Sequence, residues 1–227
     1  MGRPARRAGL PARCLGLPDR EAHARGFRRV CGLDEAGRGP LAGPVVAAAV
    51  VFEPGTRIPG LDDSKRLSAA ARARLEPLIR REAVCFALGA ASPAEIDALD
   101  ILQASLLAMG RAVAALGAPP PDFLLVDGNR PLPSSIPQRT VVGGDGLSTA
   151  IAAASVLAKQ HRDALMDAYA REFPGYGFEI HRGYPTSDHR EALRRLGPCP
   201  IHRRTFRGVC PAPGNPVQAP LFSPQVP

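Results

Sequence analysis

Apolar and polar positions along the chain fall into two periods, and the short apolar runs come first. Arg28 to Asp34 reads as a first strand. Val45 to Phe52 is an unbroken apolar run closed by Gly43-Pro44 on one side and Pro54-Gly55 on the other. Such a run predicts a strand buried on both faces. Val84 to Ala90, Phe123 to Asp127 and a short stretch from Thr140 to Val142 complete the strand candidates. Between them the period becomes helical. Ser68 can cap a helix from Ala69 to about Glu82, with Pro77 suggesting a kink. Ser92-Pro93-Ala94-Glu95 is a capping box with proline in the first turn. Leu99, Leu102, Leu106, Met109, Val113 and Leu116 then recur at spacings of three and four. They predict one helix with a leucine-rich stripe on the core, stopped by Gly117 and three prolines. Ser148 or Thr149 starts an alanine-rich helix to about Glu172, whose small residues would let it lie close against a sheet. A later helix runs from about Ser187 to Leu196. Strands first, then strands alternating with helices, predict an α/β fold with a central mixed sheet flanked by helices.

Residues 1–26 are rich in Arg, Pro and Gly without periodicity and read as a flexible basic arm. Residues 27–210 read as one folded domain, and 211–227 as a proline-rich disordered tail. A chain of 227 residues fits this division, and an apolar share of 45% suffices for a core. The net charge of +8 favours a polyanionic partner, nucleic acid first. Abundant Arg, Ala, Gly and Pro also fit a biased genome, so the charge only supports other evidence. Five scattered cysteines without a CxxC pair argue against a zinc cluster or disulfide framework and suit a reducing cytoplasm. No apolar run reaches the roughly 20 residues that span a bilayer, and the basic N-terminal stretch has no apolar core of a secretory signal.

The chemistry concentrates in Cys31 to Val46. Asp34 and Glu35 stand together at the end of an apolar run, and Gly37-Arg38-Gly39 follows at once. Asp127 ends another strand, and Asp163 lies on the alanine-rich helix. Acids at the carboxyl edge of neighbouring strands share a crevice, where open α/β sheets bind ligands. Their mutual repulsion is relieved by Mg²⁺ or Mn²⁺, and four carboxylates suit two ions about 3.5–4 Å apart. Gly37 and Gly39 would let a nucleic-acid backbone approach closely, with backbone groups reaching a ribose 2′-OH. A plain tight turn is the rival reading. Asp63-Ser64-Lys65-Arg66 and Lys159 are candidate phosphate contacts, and Lys159 shares a helix face with Asp163. Tyr184, in His181-Arg182-Gly183-Tyr184-Pro185-Thr186, could stack on a sugar or base.

These segments resemble bacterial ribonuclease HII. The matching stretches are GLDEAGRGPLAGPVVAAAVV, LDDSKRLS, LLVDGN, GDGLSTAIAAASVLAKQHRD, YGFEIHRGYPTSDH and HRRTF, in family order over roughly residues 28–208. The resemblance implies a ribonuclease H-like fold with a helical C-terminal portion. It implies endonucleolytic cleavage, dependent on Mn²⁺ or Mg²⁺, of the RNA in RNA–DNA hybrids and on the 5′ side of single ribonucleotides in duplex DNA. Products would carry 3′-hydroxyl and 5′-phosphate ends. Asp34, Glu35, Asp127 and Asp163 match the catalytic metal-binding acids. Gly37, Arg38 and Gly39 match the turn that reads the 2′-OH, Tyr184 the tyrosine beside the following deoxyribose, and Ser64 and Lys65 phosphate contacts. The family also implies a monomer. The chain departs from the pattern at Gly143 and Gly146 in Gly143-Gly144-Asp145-Gly146, at His161 and at Arg66, which bears on substrate affinity more than on chemistry. Gln218-Ala219-Pro220-Leu221-Phe222 resembles a sliding-clamp binding pentapeptide with Gln218, Leu221 and Phe222 as anchors. The competing readings are another ribonuclease H-like nuclease or strand-transfer enzyme, and a basic binding module whose acids fix a structural ion.

Overall fold

The computed structural model describes residues 15–61 and 67–210. Its centre is a five-stranded sheet of β1 (Val30–Ala36), β2 (Val45–Phe52), β3 (Ala83–Ala91), β4 (Phe123–Asp127) and β5 (Gln138–Val141). The order across the sheet is β3-β2-β1-β4-β5. The first three strands form antiparallel neighbours, whereas β4 and β5 run parallel to β1. The sheet is therefore mixed, as the alternation of elements predicts.

The apolar run of β2 is explained by its two covered faces. Val45, Ala47, Ala49 and Val51 belong to the core beneath α4 (Ile101–Ala114). Ala48, Val50 and Phe52 pack with α2 (Ala69–Glu82) and α5 (Thr149–Glu172). Helix α5 lies very close to β1. A Cβ on Gly32 would sit 2.2 Å from the backbone carbon of Ala150, so only glycine fits there. Small α5 residues and Gly32 thus seat a long helix directly on the strand that carries the acid pair. The C-terminal portion adds α6 (Phe178–His181) and α7 (Ser187–Leu196), packed around Met166, Tyr176, Phe178 and Ile201. Among the described residues, no helix is long and apolar enough to cross a membrane, and Cys31, Cys85, Cys199 and Cys210 are free thiols.

Three expectations need correction. Part of the stretch read as a flexible arm forms α1 (Leu17–Ala24), which buries Pro18 and Ala22. Asp19 anchors it across the fold: one carboxylate oxygen accepts from Ser148 Oγ and Ala150 N, and the other from Thr149 N. These contacts are 129 to 131 residues apart in sequence, beyond the reach of a local pattern.

The long helix expected after Ser92 is two helices. The capping box is present at the start of α3 (Pro93–Leu99), but Asp100 adopts φ 82° and breaks the run. Its carboxylate then caps α4 by accepting from Leu102 N and Gln103 N at 2.7 and 2.9 Å.

The leucine-rich stripe is also displaced. Leu99 is exposed, and the deepest positions of α4 are Ala104, Ala108, Met109 and Ala112. Leu106, Val113 and Leu116 flank them half-buried. The reason is distance: a Cβ on Gly89 of β3 would lie 2.2 Å from the Ala108 carbonyl oxygen, leaving room only for alanine at the closest approach.

Candidate active site

The acids gather where β1 and β4 end side by side. Leu33 pairs with Val126 in the parallel ladder, so Asp34 and Asp127 follow at the same level. Asp34 is 3% exposed. Its Oδ1 accepts from Glu35 N at 2.7 Å, and Ser155 of α5 also hydrogen-bonds its carboxylate. Burial, then the charge of Asp127, then that of Glu35, hold the Asp34 carboxyl well above the usual carboxylate range. The Ser155 bond opposes this, and Asp145 adds to it.

Asp145 is a buried acid beside the cluster that sequence reasoning did not single out. It lies in a 3₁₀ turn, Gly144–Gly146, which folds over β4: Gly144 N donates to Asp127 Oδ1 at 2.7 Å. Gly143 enters the turn at φ 68°, a conformation that favours glycine. The departure at this position is thus compatible with the turn that brings a buried acid to the cluster. The available signal was an acid between glycines directly before a helix cap.

Helix α5 climbs along β1 from Gly32 at Ala150, past Asp34 at Ser155, to Gly37 at Arg162. Asp163 therefore stands at the same end as the acid pair, about 12 Å along the axis from Ser155. Lys159 Nζ donates to Asp163 Oδ1 at 2.7 Å, and Arg72 Nη2 lies 3.8 Å from Oδ2. Glu35 pairs similarly with the half-exposed Arg38 at 3.3 Å.

Among the described residues, no three acid, histidine or cysteine side chains converge tightly enough to form a ready metal cage. The donor chemistry nevertheless suits a hard divalent cation. All the candidates are carboxylates, and Asp34, lifted first by burial and then by the charges of Asp127 and Glu35, is a group whose ionised form such a cation favours.

The Gly37–Gly39 turn and Tyr184 adjoin these acids. Gly37 has φ 102°, and a Cβ there would meet Arg162 Nε at 2.2 Å. A Cβ on Gly39 would have Tyr184 Cε1 as its nearest neighbour, at 3.7 Å. Lys159 Nζ lies 6.0 Å from the centre of the Tyr184 ring, whose side chain remains accessible. The structure thus brings Gly37, Arg38, Gly39, Lys159 and Tyr184 together with the acids. Ser64 and Lys65 lie outside the described residues, as do Gln218, Leu221 and Phe222.

Two buried arginines hold the loop from Gly37 to Pro44. Arg203 donates from Nε to the Gly43 carbonyl at 3.0 Å, from Nη1 to Arg38 and Pro40 at 3.0 and 2.8 Å, and from Nη2 to Gly37 at 2.6 Å. Arg162 donates to the carbonyls of Pro44, Ala42 and Arg182, each at 3.1 Å. Both guanidinium groups are held below the usual arginine range, burial being the largest cause. Sequence reasoning assigned neither a role, since a basic residue in a basic chain carries no sign of burial.

A mixed α/β sheet with acids closing adjacent parallel strands, wrapped by a long helix and a helical C-terminal portion, defines a ribonuclease H-like protein. The ribonuclease H2 of Pyrococcus horikoshii OT3 has this fold: TM-score 0.68 and 25% identity, covering 80% of this chain and 95% of that one. The ribonuclease HII of Archaeoglobus fulgidus, solved in complex with PCNA, gives TM-score 0.65 at 25% identity, over 77% and 91%. Residues 31–209 match the family model described as Ribonuclease HII. The Ribonuclease HII of Syntrophotalea carbinolica is 58% identical over 185 residues, covering 82% of this chain and 88% of the relative. That of Nitrosococcus oceani is 57% identical over 182 residues, 80% of this chain and 90% of the relative. The chain belongs to the bacterial ribonuclease HII family, and at family level its function is that of an endoribonuclease on RNA–DNA hybrids.

Proposed function

We propose that this chain cuts the RNA strand of RNA–DNA hybrids and the phosphodiester 5′ of a single ribonucleotide in duplex DNA, leaving 3′-hydroxyl and 5′-phosphate ends. One observation carries the reading: the acid cluster at the ends of β1 and β4 adjoins a glycine turn and an accessible tyrosine. Acids alone would suit many nucleases. Acids beside a surface able to test a sugar suit one that selects ribonucleotides.

Asp34, Glu35, Asp127 and Asp163 would hold Mg²⁺ or Mn²⁺, with Asp145 adding negative potential nearby. When bound, two such ions supply an activated water and neutralise charge on the scissile phosphate. The chain's own residues do the selecting. Backbone groups of Gly37 and Gly39 approach the 2′-OH, since neither residue carries a side chain to block it. Arg38 and Lys159, now paired with Glu35 and Asp163, stand ready to meet phosphate oxygens. Tyr184 stacks beside the deoxyribose that follows the ribonucleotide. Ser64 and Lys65 supply further phosphate contacts.

The tail residues Gln218, Leu221 and Phe222 form a sliding-clamp anchor in this reading. The Archaeoglobus fulgidus relative in complex with PCNA supports it. Pull-down with purified clamp tests it: equal binding after Leu221→Ala and Phe222→Ala would reject the anchor. A monomer working in the cytoplasm is part of the same proposal.

The deciding experiment is cleavage of a labelled DNA duplex with one embedded ribonucleotide, beside an all-DNA control, with Mn²⁺, Mg²⁺ or EDTA. A single cut just 5′ of the ribonucleotide, dependent on metal and absent from the control, is expected. Cutting of both duplexes would point to another nuclease of this fold. Binding without cutting would point to a binding module.

A further inference from the structure

The dipeptide His202-Arg203 stands outside the acid cluster yet holds both elements assigned to reading the nucleotide. Arg203 places all four of its side-chain hydrogen bonds on backbone carbonyls between Gly37 and Gly43. Its own N–H donates to the Leu41 carbonyl at 2.9 Å, and His202 forms an isolated β-bridge with Ala42.

His202 faces the other way. The Cys199 backbone N–H donates to its Nδ1 at 3.0 Å, so its hydrogen sits on Nε2. That group donates to His189 Nε2 at 3.0 Å. His189 therefore carries its hydrogen on Nδ1 and donates to the Tyr184 carbonyl at 2.9 Å. Both rings are buried, 2% and 0% exposed, so no water competes for this chain of bonds. Leu41 N also donates to the Gly183 carbonyl at 2.8 Å, closing the circuit between turn and tyrosine.

Burying a guanidinium is costly, and an apolar side chain of similar volume often stabilises a core better. Packing alone therefore does not account for Arg203. Its fork instead fixes four carbonyls on one turn, which sets where the turn's opposite face points.

We propose that His202 and Arg203 are positioning residues that hold the Gly37–Gly39 turn and Tyr184 in one register, so that both meet a ribonucleotide–deoxyribonucleotide junction together. The inference rests on the proposed reading of turn and tyrosine. Neither residue touches the reacting atoms. A junction needs both elements at a fixed spacing. A continuous RNA strand offers a 2′-OH at every step and depends less on that spacing.

The test uses full-length Arg203→Lys and His202→Asn. Lysine keeps the charge and loses the fork. Asparagine can still accept from Cys199 N but cannot reach His189. Amide hydrogen exchange is followed at residues 37–43 and 182–186, and kcat/KM is measured on a single-ribonucleotide duplex and on a continuous RNA–DNA hybrid. We expect exchange at residues 37–43 to rise about tenfold in Arg203→Lys, and at residues 182–186 in His202→Asn. The junction substrate should lose about 30-fold in kcat/KM, and the continuous hybrid about threefold. Where Arg203→Lys does not fold, His202→Asn carries the test. Wild type that cuts the junction, with variants that keep both the exchange rates and the substrate ratio, overturns the inference alone. Wild type that cuts neither substrate overturns the functional reading and the inference with it.

Discussion

Asp34 and Asp127 close neighbouring parallel strands at the same level, and after burial the charge of Asp127 does most to lift the Asp34 carboxyl. A carboxyl whose folded pKa exceeds its unfolded value destabilises the native state when charged. The penalty is full at pH values above the folded pKa and fades as pH falls through it. Asp34→Asn removes this penalty. At neutral pH it should stabilise the protein, read as a rise in Tm. The same variant should lose about 10³-fold or more in cleavage while still binding hybrid. Thermal melting beside single-turnover cleavage checks both. An unchanged or lower Tm would remove the argument from repulsion.

The same repulsion makes stability sensitive to divalent cations. A ligand at 100 times its Kd stabilises the state that binds it by about 2.7 kcal/mol. Mn²⁺ titrated into the metal-free protein should raise Tm by several degrees, and EDTA should reverse the rise. Asp34→Asn and Asp127→Asn should each lose most of it. A rise of equal size in either variant would place the cation elsewhere. This readout is independent of cleavage.

The strands and most helix starts were legible because their causes are local. Val45 to Phe52 is buried on both faces and reads as an unbroken run. Ser68, Ser92 and Ser148 cap the helices that follow them within three residues, as their side chains suggest. The meeting of Asp34, Glu35 and Asp127 at one sheet edge was legible because acids that end neighbouring apolar strands face one crevice. What stayed hidden depends on distant partners. Asp19 caps a helix more than a hundred residues away. The φ of Asp100 breaks a helix that periodicity continues. Arg203 and Arg162 look like surface charges until four carbonyls close round one and three round the other.

Asp19 provides a stability prediction separate from the site. Its two carboxylate oxygens accept from Ser148 Oγ, Thr149 N and Ala150 N at the start of α5. A negative charge at a helix N-terminus also meets the positive end of the helix dipole. Asp19→Ala should cost about 1–2 kcal/mol, lowering Tm by roughly 2–6 °C. Turnover by the folded protein should stay within about twofold, since the acids stand at the other end of β1. Melting and steady-state kinetics at a temperature well below Tm separate the effects. A large loss of kcat without loss of Tm would show that α1 reaches the chemistry.

His189 and His202 make stability depend on pH in a defined direction. Burial is the largest cause that lowers each ring, to about 4 for His189 and about 3 for His202. Both lie below the usual value of 6.5, so in the unfolded chain they take up protons that the folded chain refuses. The contribution of the neutral pair is therefore complete above pH 6.5 and is lost as pH falls toward 4 and then 3. After discounting for relaxation around the rings, the pair should cost on the order of 3 kcal/mol by pH 4. Asp34 acts with the opposite sign, so the raw curve mixes the two. Comparing slopes isolates the histidines. Between pH 6.5 and 4, Tm should fall less steeply in His202→Asn than in wild type, whatever the variant's Tm at pH 7. Parallel slopes would mean that His202 is not held neutral against protonation, and the hydrogen-bond chain to Tyr184 would lose its direction.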